Sequence, residues 1–390
     1  MQSDQVSKIR VLVFLDWYLP GFRGGGPIKS LSNLVNALGH QIHFSIVTRD
    51  TDYCEPTPYP NIEPDKWVQG HNSERIYYLS KAHINRSTIE EFIKAEDYDA
   101  IYLNSMFSWY FAIIPLWYAS RNNIRRLILA PRGMLSSGSV GVHPGRKNMF
   151  LRLAKLIRLF KNVTFHATSE AENADIRKMI NPEANIHIAP NLSSRITKPT
   201  GIKTIKQNGS VSLVSIARIA PEKNLLLAIK ILSQVKGNVN FDIYGSIYNR
   251  QYWDACLAKI EMLNPAINVV YKGVAQGEQI TSILSGYHFM LMPTTGENFG
   301  HVIFESLAAA TPVIISDLTP WKDLERFRAG YTLSLNEESR WIEVIDQCVT
   351  MSSEQYRYMA KSARNYAHNY VENQEDPATS LELFHLAKQQ

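Results

Sequence analysis

Residues 288–317, HFMLMPTTGENFGHVIFESLAAATPVIISD, decide the fold. The apolar run from His288 to Met292 has the length of a strand and ends in a Pro-Thr-Thr-Gly turn. Helical signals follow from about Phe299 to Ala309, and Pro312 to Ile315 reads as a second short strand. Glu297 falls in the turn and Glu305 roughly two turns into the helix, so only Glu297 points freely into a crevice beyond the strand end. The helix start leaves the backbone N–H groups of Asn298, Phe299 and Gly300 without intrahelical partners, and the helix dipole adds about half a positive charge there. Such an end suits a phosphate. Gly300 has no Cβ to hold a ligand away, and the Glu305 carboxylate can accept hydrogen bonds from a sugar diol.

The same plan extends in both directions. Upstream, Val211 to Ile216 reads as a buried strand, and ARIAPEKNLLLAIKIL (217–232) as a turn and helix in which Arg218 and Lys223 flank a start at Pro221. FDIYG (241–245) and VVYKG (269–273) are two more strands ending in glycine. Downstream come a short strand at Tyr331 to Ser334 and three helical stretches. In the first half, IRVLVFLDWYL (9–19) is a continuous apolar run, as expected of a strand buried on both faces of a parallel sheet. GFRGGGP (21–27) follows, then a helical pattern stopped by Gly39. Gly24, Gly25 and Gly26 allow backbone N–H groups to approach a diphosphate, and Pro27 suits a first helical turn. This is not a Walker loop, because no Gly-Lys-Ser/Thr follows. Apolar runs at His43–Thr48, Arg75–Leu79, Ala100–Asn104, Leu127–Pro131, Val163–Thr168 and Ile186–Ala189 alternate with helices. That alternation marks a doubly wound α/β domain, whose ligands sit beyond the carboxyl ends of the strands, where Asn104, Arg132 and Gly133 fall.

At 390 residues the chain is too long for one ordinary core. It reads as a first domain over 1–192, rejoined by a last helix at about 371–390, a polar linker over 193–209, and a second domain over 210–370. With 45% hydrophobic and 20% charged residues it is an ordinary globular composition, which excludes a disordered chain. The net charge of +5 is mild; it suits anionic substrates or an anionic surface, and no nucleic-acid motif accompanies it. Cys54, Cys256 and Cys348 are odd in number and lack metal-site spacing, so they read as reduced and structural. MQSDQVSKIR at the start has no apolar core of a signal peptide, and the longest apolar stretch, Met106 to Ala119, is shorter than the ~20 residues that cross a bilayer. The expectation is a cytoplasmic protein.

Glu297-x7-Glu305, set in PTTGENFGHVIFESLAAATPVIISD, resembles the donor-site motif of retaining glycosyltransferases of the GT-B fold, glycosyltransferase family 4 in particular. The resemblance covers nearly the whole chain and is strongest over 211–317. It implies two facing Rossmann-like, doubly wound domains with a donor cleft between them, and transfer of a sugar from a nucleoside-diphosphate sugar to a glycan or lipid-linked glycan, with retention. The biological setting it implies is cell-surface polysaccharide synthesis. Glu297 would hold the donor sugar and Glu305 the ribose. Arg218 and Lys223 would clasp the diphosphate, with Gly24, Gly25, Gly26, Asn298, Phe299 and Gly300 supplying amides. Gly245, Lys272 and Val274 would line the nucleotide pocket through backbone groups, and Asn104 and Gly133 would lie on the acceptor side. No cofactor or metal is required, since the two cations and two helix ends stand in for a metal at the diphosphate, and the leaving phosphate itself helps to deprotonate the acceptor. Arg132 stands where relatives often carry a histidine near the transferring sugar, and it is placed in the catalytic set with Glu297, Arg218 and Lys223. Ala310 replaces the usual glycine after the helix, which predicts a slightly remodelled helix end.

Two other readings stay open. A metal-dependent transferase of the other glycosyltransferase fold needs an Asp-x-Asp pair; Asp50-Thr51-Asp52 and Asp97-Tyr98-Asp99 both have the spacing, but both read better as loop carboxylates. A non-catalytic nucleotide-sugar-binding protein, or an epimerase on a similar scaffold, keeps the fold without transfer. Finally, GRKNMFLRLAKLIRLFK (145–161) contains no acidic residue. Its spacing predicts a helix with Met149, Leu153, Leu156, Ile157 and Phe160 on one face and Arg152, Lys155, Arg158 and Lys161 opposite. A helix of that kind docks on an anionic membrane surface, which would place the protein on the inner face of the cytoplasmic membrane with a polyprenyl-diphosphate-linked acceptor.

Overall fold

The computed structural model describes residues 8–136, 144–194, 205–373 and 377–389. The chain forms two compact units, Met1–Ser194 with Glu375–Gln390, and Arg195–Gln374. The first unit is built on an eight-stranded sheet of β1 (Ile9–Phe14), β2 (Ile42–Arg49), β3 (Trp67–Gln69), β4 (Arg75–Leu79), β5 (Ala100–Leu103), β6 (Leu127–Leu129), β7 (Val163–Ala167) and β8 (Asn185–Ile188). Their order is β3-β4-β2-β1-β5-β6-β7-β8, and every pairing is parallel except β3 on β4. The second unit has six parallel strands, β9 (Ser210–Ile216), β10 (Asn238–Tyr244), β11 (Ile267–Tyr271), β12 (Phe289–Met292), β13 (Val313–Ser316) and β14 (Gly330–Leu333), in the order β11-β10-β9-β12-β13-β14.

Both sheets are made of short runs rich in Val, Ile, Leu and Phe, buried because helices cover both faces, with exposed positions confined to β3, β8, β10 and β11. In the first unit one layer is built on Leu12, Phe14 and Leu103, and the other on Val11, Val13 and Phe44. The helix Ala378–Lys388 belongs to the second of these, with Phe384 edge-on to Phe44 at 6.0 Å and tilted against Tyr102 at 5.7 Å. In each sheet the direction of strand addition reverses beside its first strand, between β1 and β5 and between β9 and β12. A crevice opens there at the carboxyl ends, and loops after those four strands are the ones that can hold a ligand.

The expected linker is built differently from a free polar tether. Residues 195–204 lie outside the described set, but Lys206 is buried, with its ammonium on the carbonyl oxygens of Val349 (2.9 Å) and Met351 (3.2 Å). These lie at the carboxyl end of the helix Glu338–Thr350, where a cation is favoured. All three cysteines are free; Cys256 and Cys348 are buried and Cys54 is exposed. No helix among the described residues is long and apolar enough to cross a membrane.

Candidate active site

At the switch point of the second sheet, the loops after β9 and β12 are joined by one backbone carbonyl. The Glu222 oxygen accepts from Thr295 N (2.9 Å), Thr294 Oγ1 (3.1 Å) and Thr295 Oγ1 (3.2 Å). Ser316 Oγ, at the end of β13, donates to Thr294 O at 2.6 Å, so Thr294 is wholly buried and the Pro-Thr-Thr-Gly turn is fixed on two sides. This brings Lys223 and Glu297 together: Nζ lies 2.5 Å from Oε1, with the two side chains 19% and 13% exposed. A charge pair so little solvated is stronger than a surface pair, and loss of either partner leaves the other costly. Arg218 lies alongside, its guanidinium over the Tyr248 ring (5.3 Å to the centroid) and 3.4 Å from Glu222 Oε1. Lys223 and Arg218, expected together as a basic pair, thus have different acidic partners: Glu222 goes to Arg218 and Glu297 to Lys223.

The helix of the opening stretch runs His301–Ala308, two residues later than the Phe299 expected, because Gly300 adopts φ +76° and ψ +59° and breaks the spiral. Trp321 Nε1 donates to Phe299 O at 2.6 Å and fixes the direction of the preceding peptide. Asn298 and Phe299 therefore approach the helix start through a bend, Phe299 packed on Trp321 at 5.4 Å. Glu305 is 9% exposed, on the buried side of the helix. At the far end, Ala310 takes φ +60°, with Ala310 N on Leu307 O (3.0 Å) and Thr311 N on Ser306 O (2.9 Å). The expected remodelling does not occur: these two bonds form an ordinary Schellman end, and the alanine accepts the strain that a glycine would avoid. On the outer side of the same sheet, Gly245 (φ +154°) comes so close to Ala217 that a Cβ would sit 1.8 Å from its carbonyl oxygen. Tyr271 OH donates to Gly245 O at 2.8 Å, Lys272 Nζ lies 3.4 Å from Asp242 Oδ2, and Val274 is half-buried in the following turn.

In the first unit the glycine loop after β1 is tied down by an aspartate that sequence reading assigned to the metal alternative. Asp52 Oδ2 accepts from Phe22 N (2.9 Å) and Arg23 N (3.1 Å), and Arg23 pairs with Glu55 at 3.3 Å. Gly24 turns, Gly25 (φ +68°) caps the helix Gly26–Leu38, and a Cβ on Gly25 would meet nothing within 4 Å, so this face of the loop is open. An open depression of about 350 Å³ beside it is lined by Trp17, Arg49, Asp52 and Glu55 among others. Trp109, 62% exposed, starts a π-helical turn just beyond β5, a feature that no sequence signal marked. Asn104 is fully buried, its amide donating to Pro27 O (2.9 Å) and its oxygen accepting from Arg132 Nε (2.8 Å). Gly133 N donates to Glu172 Oε1 at 2.6 Å. Both expected acceptor-side residues thus have their polar groups engaged inside the unit.

The other Asp-x-Asp candidate is spent on protein partners as well. Asp97 pairs with Arg126 (2.8 Å), while Asp99 accepts from Arg10 N (2.8 Å) and meets Lys388 (3.2 Å). Among the described residues no three His, Cys, Asp or Glu side chains come together as metal ligands.

The basic helix spans Pro144–Leu156, and the expected separation of an apolar face from an opposite cationic one is not found. Leu151 and Ala154 are the buried side, whereas Met149, Leu153, Leu156 and Ile157 are 68, 56, 80 and 50% exposed, next to exposed Arg152, Lys155 and Arg158. Phe160 leaves that face and packs at 5.9 Å on Phe165, because the chain turns at Arg158 (φ +53°). Apolar and cationic groups therefore share one solvent-facing surface.

Three solved structures share this architecture across the chain. HepE from Anabaena, described in complex with UDP and glucose, has a TM-score of 0.70 at 14% identity, covering 98% of this chain and 100% of that one. Sucrose-phosphate synthase from Thermosynechococcus elongatus has 0.67 at 16%, covering 98% and 99%. WaaG, described as a glycosyltransferase involved in lipopolysaccharide biosynthesis, has 0.61 at 14%, covering 96% and 99%. At such identities the likeness is one of fold. No curated protein sequence matches the chain. Residues 202–366, which include β9 to β14 and the Lys223–Glu297 pair, match the family described as glycosyl transferases group 1, and the chain as a whole has the two-domain α/β fold of GT-B glycosyltransferases.

Proposed function

We propose that the protein transfers a sugar from a nucleoside-diphosphate sugar to an acceptor hydroxyl, with retention at the anomeric carbon and without a metal ion. The observation that carries this reading is the Lys223–Glu297 pair, with Arg218 alongside, at the switch point of the second sheet. As the glycosidic bond breaks, the diphosphate gains charge. Arg218, Lys223 and the amides of Asn298, Phe299 and Gly300 stabilise it, a contribution of several kcal/mol where donors are preorganised. Glu297 exchanges part of its hold on Lys223 for the hydroxyls of the donor sugar. Glu305 takes the ribose diol, and the segments at Gly245 and Lys272–Val274 border the base. Gly24, Gly25 and Gly26 are read as amide donors to a diphosphate, Arg132 belongs to the set needed for transfer, and the departing phosphate oxygen takes the acceptor proton.

The nucleoside is uridine in this reading, as in the ligand named for HepE. The acceptor is a glycan carried on a polyprenyl diphosphate at the cytoplasmic face of a membrane, in the assembly of a surface polysaccharide. What supports the membrane part is the exposed row Met149, Leu153, Leu156 and Ile157 among Arg152, Lys155 and Arg158: apolar side chains enter the interface while each cation adds about 1 kcal/mol against anionic lipid.

The test is release of nucleoside diphosphate from a panel of UDP-, GDP- and ADP-sugars, with and without membrane-extracted acceptor, in EDTA. Turnover in EDTA with at least one donor is expected; loss of turnover on chelation, restored by Mn2+, overturns the metal-independent mechanism. For the membrane part, co-sedimentation with anionic vesicles at low salt should fall as salt rises and vanish when Arg152, Lys155 and Arg158 become Ser. Equal pelleting with neutral vesicles would count against it.

A further inference from the structure

A single guanidinium at the carboxyl edge of the first sheet is held at three corners by neutral acceptors. Arg132 Nε donates to Asn104 Oδ1 (2.8 Å), Nη1 to Asn191 Oδ1 (2.6 Å) and Nη2 to the Tyr102 hydroxyl (2.6 Å). None of these partners is a carboxylate. The residue also sits at φ +55°, a strained setting for a side chain of this kind, which costs about 1 kcal/mol and is retained only where the surroundings enforce it.

The direction of every bond in this network is fixed. His166 Nε2 lies 2.8 Å from Ala189 O, and a carbonyl only accepts, so Nε2 carries the hydrogen. Nδ1 must then accept from Tyr102 OH at 2.8 Å, which leaves the Tyr102 oxygen to accept from Arg132. Burial, together with the Arg132 charge, holds His166 down to about 3, so the ring stays neutral and this arrangement persists across the physiological range.

The same reasoning sets the Asn104 amide. Because Arg132 Nε–H can only donate, it draws Oδ1 toward itself and turns the Asn104 NH2 group onto Pro27 O at 2.9 Å. Pro27 stands directly behind Gly24, Gly25 and Gly26, in the first turn of the helix Gly26–Leu38. Without the guanidinium the amide is free to flip and present oxygen to oxygen at Pro27. Asn104 is fully buried, with its amide turned inward onto Pro27 O.

We propose that Arg132 is a positioning residue: it acts through Asn104 to hold the Pro27 carbonyl and the glycine loop in place, and it does not itself touch donor or acceptor. The inference rests on the reading of that loop as a diphosphate-facing element in sugar transfer. Lysine cannot replace arginine here, since a point ammonium does not meet three acceptors in one plane.

The experiment is a double-mutant cycle on Arg132→Gln and Asn104→Ala, read as kcat and as KM for the nucleotide sugar that the wild-type protein turns over fastest. Each single variant should lower kcat about ten- to a hundredfold with KM for the donor changed less than about threefold, and the double variant should be no worse than the poorer single within about twofold. Arg132→Lys should behave like Arg132→Gln. Multiplying effects, or Asn104→Ala at wild-type kcat beside an inactive Arg132→Gln, would overturn the proposal and give Arg132 a direct contact. Should the Arg132 variants fail to fold, Asn104→Asp decides instead. Its carboxylate keeps the Arg132 contact and even pairs with it, but can only repel Pro27 O. A folded Asn104→Asp protein with kcat lowered as far as in Asn104→Ala is expected, and wild-type kcat refutes the idea. A wild-type protein that releases no nucleoside diphosphate from any donor refutes the transfer reading itself and is a separate result.

Discussion

Gly300→Ala is the sharpest perturbation of the proposed donor site that leaves every functional side chain in place. Gly300 is left-handed at φ +76°, where an alanine costs about 1 kcal/mol relative to glycine. A Cβ there would lie 2.8 Å from Ile303 Cδ1 and 3.4 Å from Trp321 Nε1. Ile303 is fully buried, so relieving the first overlap turns it off its rotamer, at about 0.5–1.5 kcal/mol. The sum is about 2 kcal/mol, and a unit of this size loses about 2–4 °C per kcal/mol, so the second unit should melt about 4–8 °C lower. Gly296→Ala is the matched control: its Cβ meets nothing within 4 Å and its φ is not positive, so its melting point should stay within about 2 °C. Differential scanning calorimetry reads both, and repeating the scans with UDP reads the site. Ligand at a hundred times its Kd adds about 2.7 kcal/mol to the wild type. That increment should shrink in Gly300→Ala, whose amides are displaced, and persist in Gly296→Ala. Equal melting points for the two variants would refute the strain argument; a full UDP increment in a destabilised Gly300→Ala would remove this helix start from the phosphate.

Glu305→Ala should weaken UDP binding, since a ribose diol loses its buried acceptor at about 1–3 kcal/mol; unchanged affinity by calorimetry removes Glu305 from the ribose. Glu297→Ala should lower kcat more than it weakens UDP, although Lys223 then loses its partner, and a collapse of UDP affinity would show that the pair acts as one unit on the diphosphate. Arg218→Ala and Lys223→Ala should each cut kcat/KM roughly a hundredfold, as loss of a preorganised donor to developing charge does, with initial rates as the readout. Acid should loosen the second unit through His288, whose Nδ1 accepts from Ser212 N at 2.9 Å and which burial holds down to about 4. A depressed histidine gives stability that is complete above about 6.5 and is lost progressively as pH falls from there to about 4. Denaturant titration should therefore show a loss of up to about 2 kcal/mol between pH 7 and pH 5 that His288→Asn does not show.

What the sequence made legible was what repeats. Buried strands such as LVSI and FMLM have no other reading beside glycine turns, and so the two sheets were placed to within a residue or three at most ends. β3 escaped because Trp67–Gln69 is two half-buried residues and an exposed one at a sheet edge, too short to show a period. Side-chain partnerships were the other blind region. Lys223 lies beside Glu222 in the chain, yet it meets Glu297, 74 positions away, because two parallel strands place their loops side by side. Asp52 read as a loop carboxylate of no stated partner and serves as the anchor of the glycine loop, since nothing local says which backbone amides will come within its reach. In the basic helix only the opposition of apolar and cationic faces failed, because its apolar residues recur on more than one face, and periodicity gives a stripe without saying which stripe meets the core.

The closing helix Ala378–Lys388 has a consequence for how such a protein can be recombined. The chain leaves its first unit before residue 205 and comes back to it after residue 373, delivering Phe384 to the layer on Val11, Val13 and Phe44. A donor-side half taken from this protein and joined to a foreign first half is therefore an insert with two seams, not a tail with one. A hybrid spliced only at the earlier seam would carry a homeless helix and leave its new host with an uncovered patch. Exchanging residues 205–373 as a cassette keeps the Lys223–Glu297 pair, the Thr294 and Thr295 bonds to Glu222 and the Trp321 bond to Phe299 in one piece.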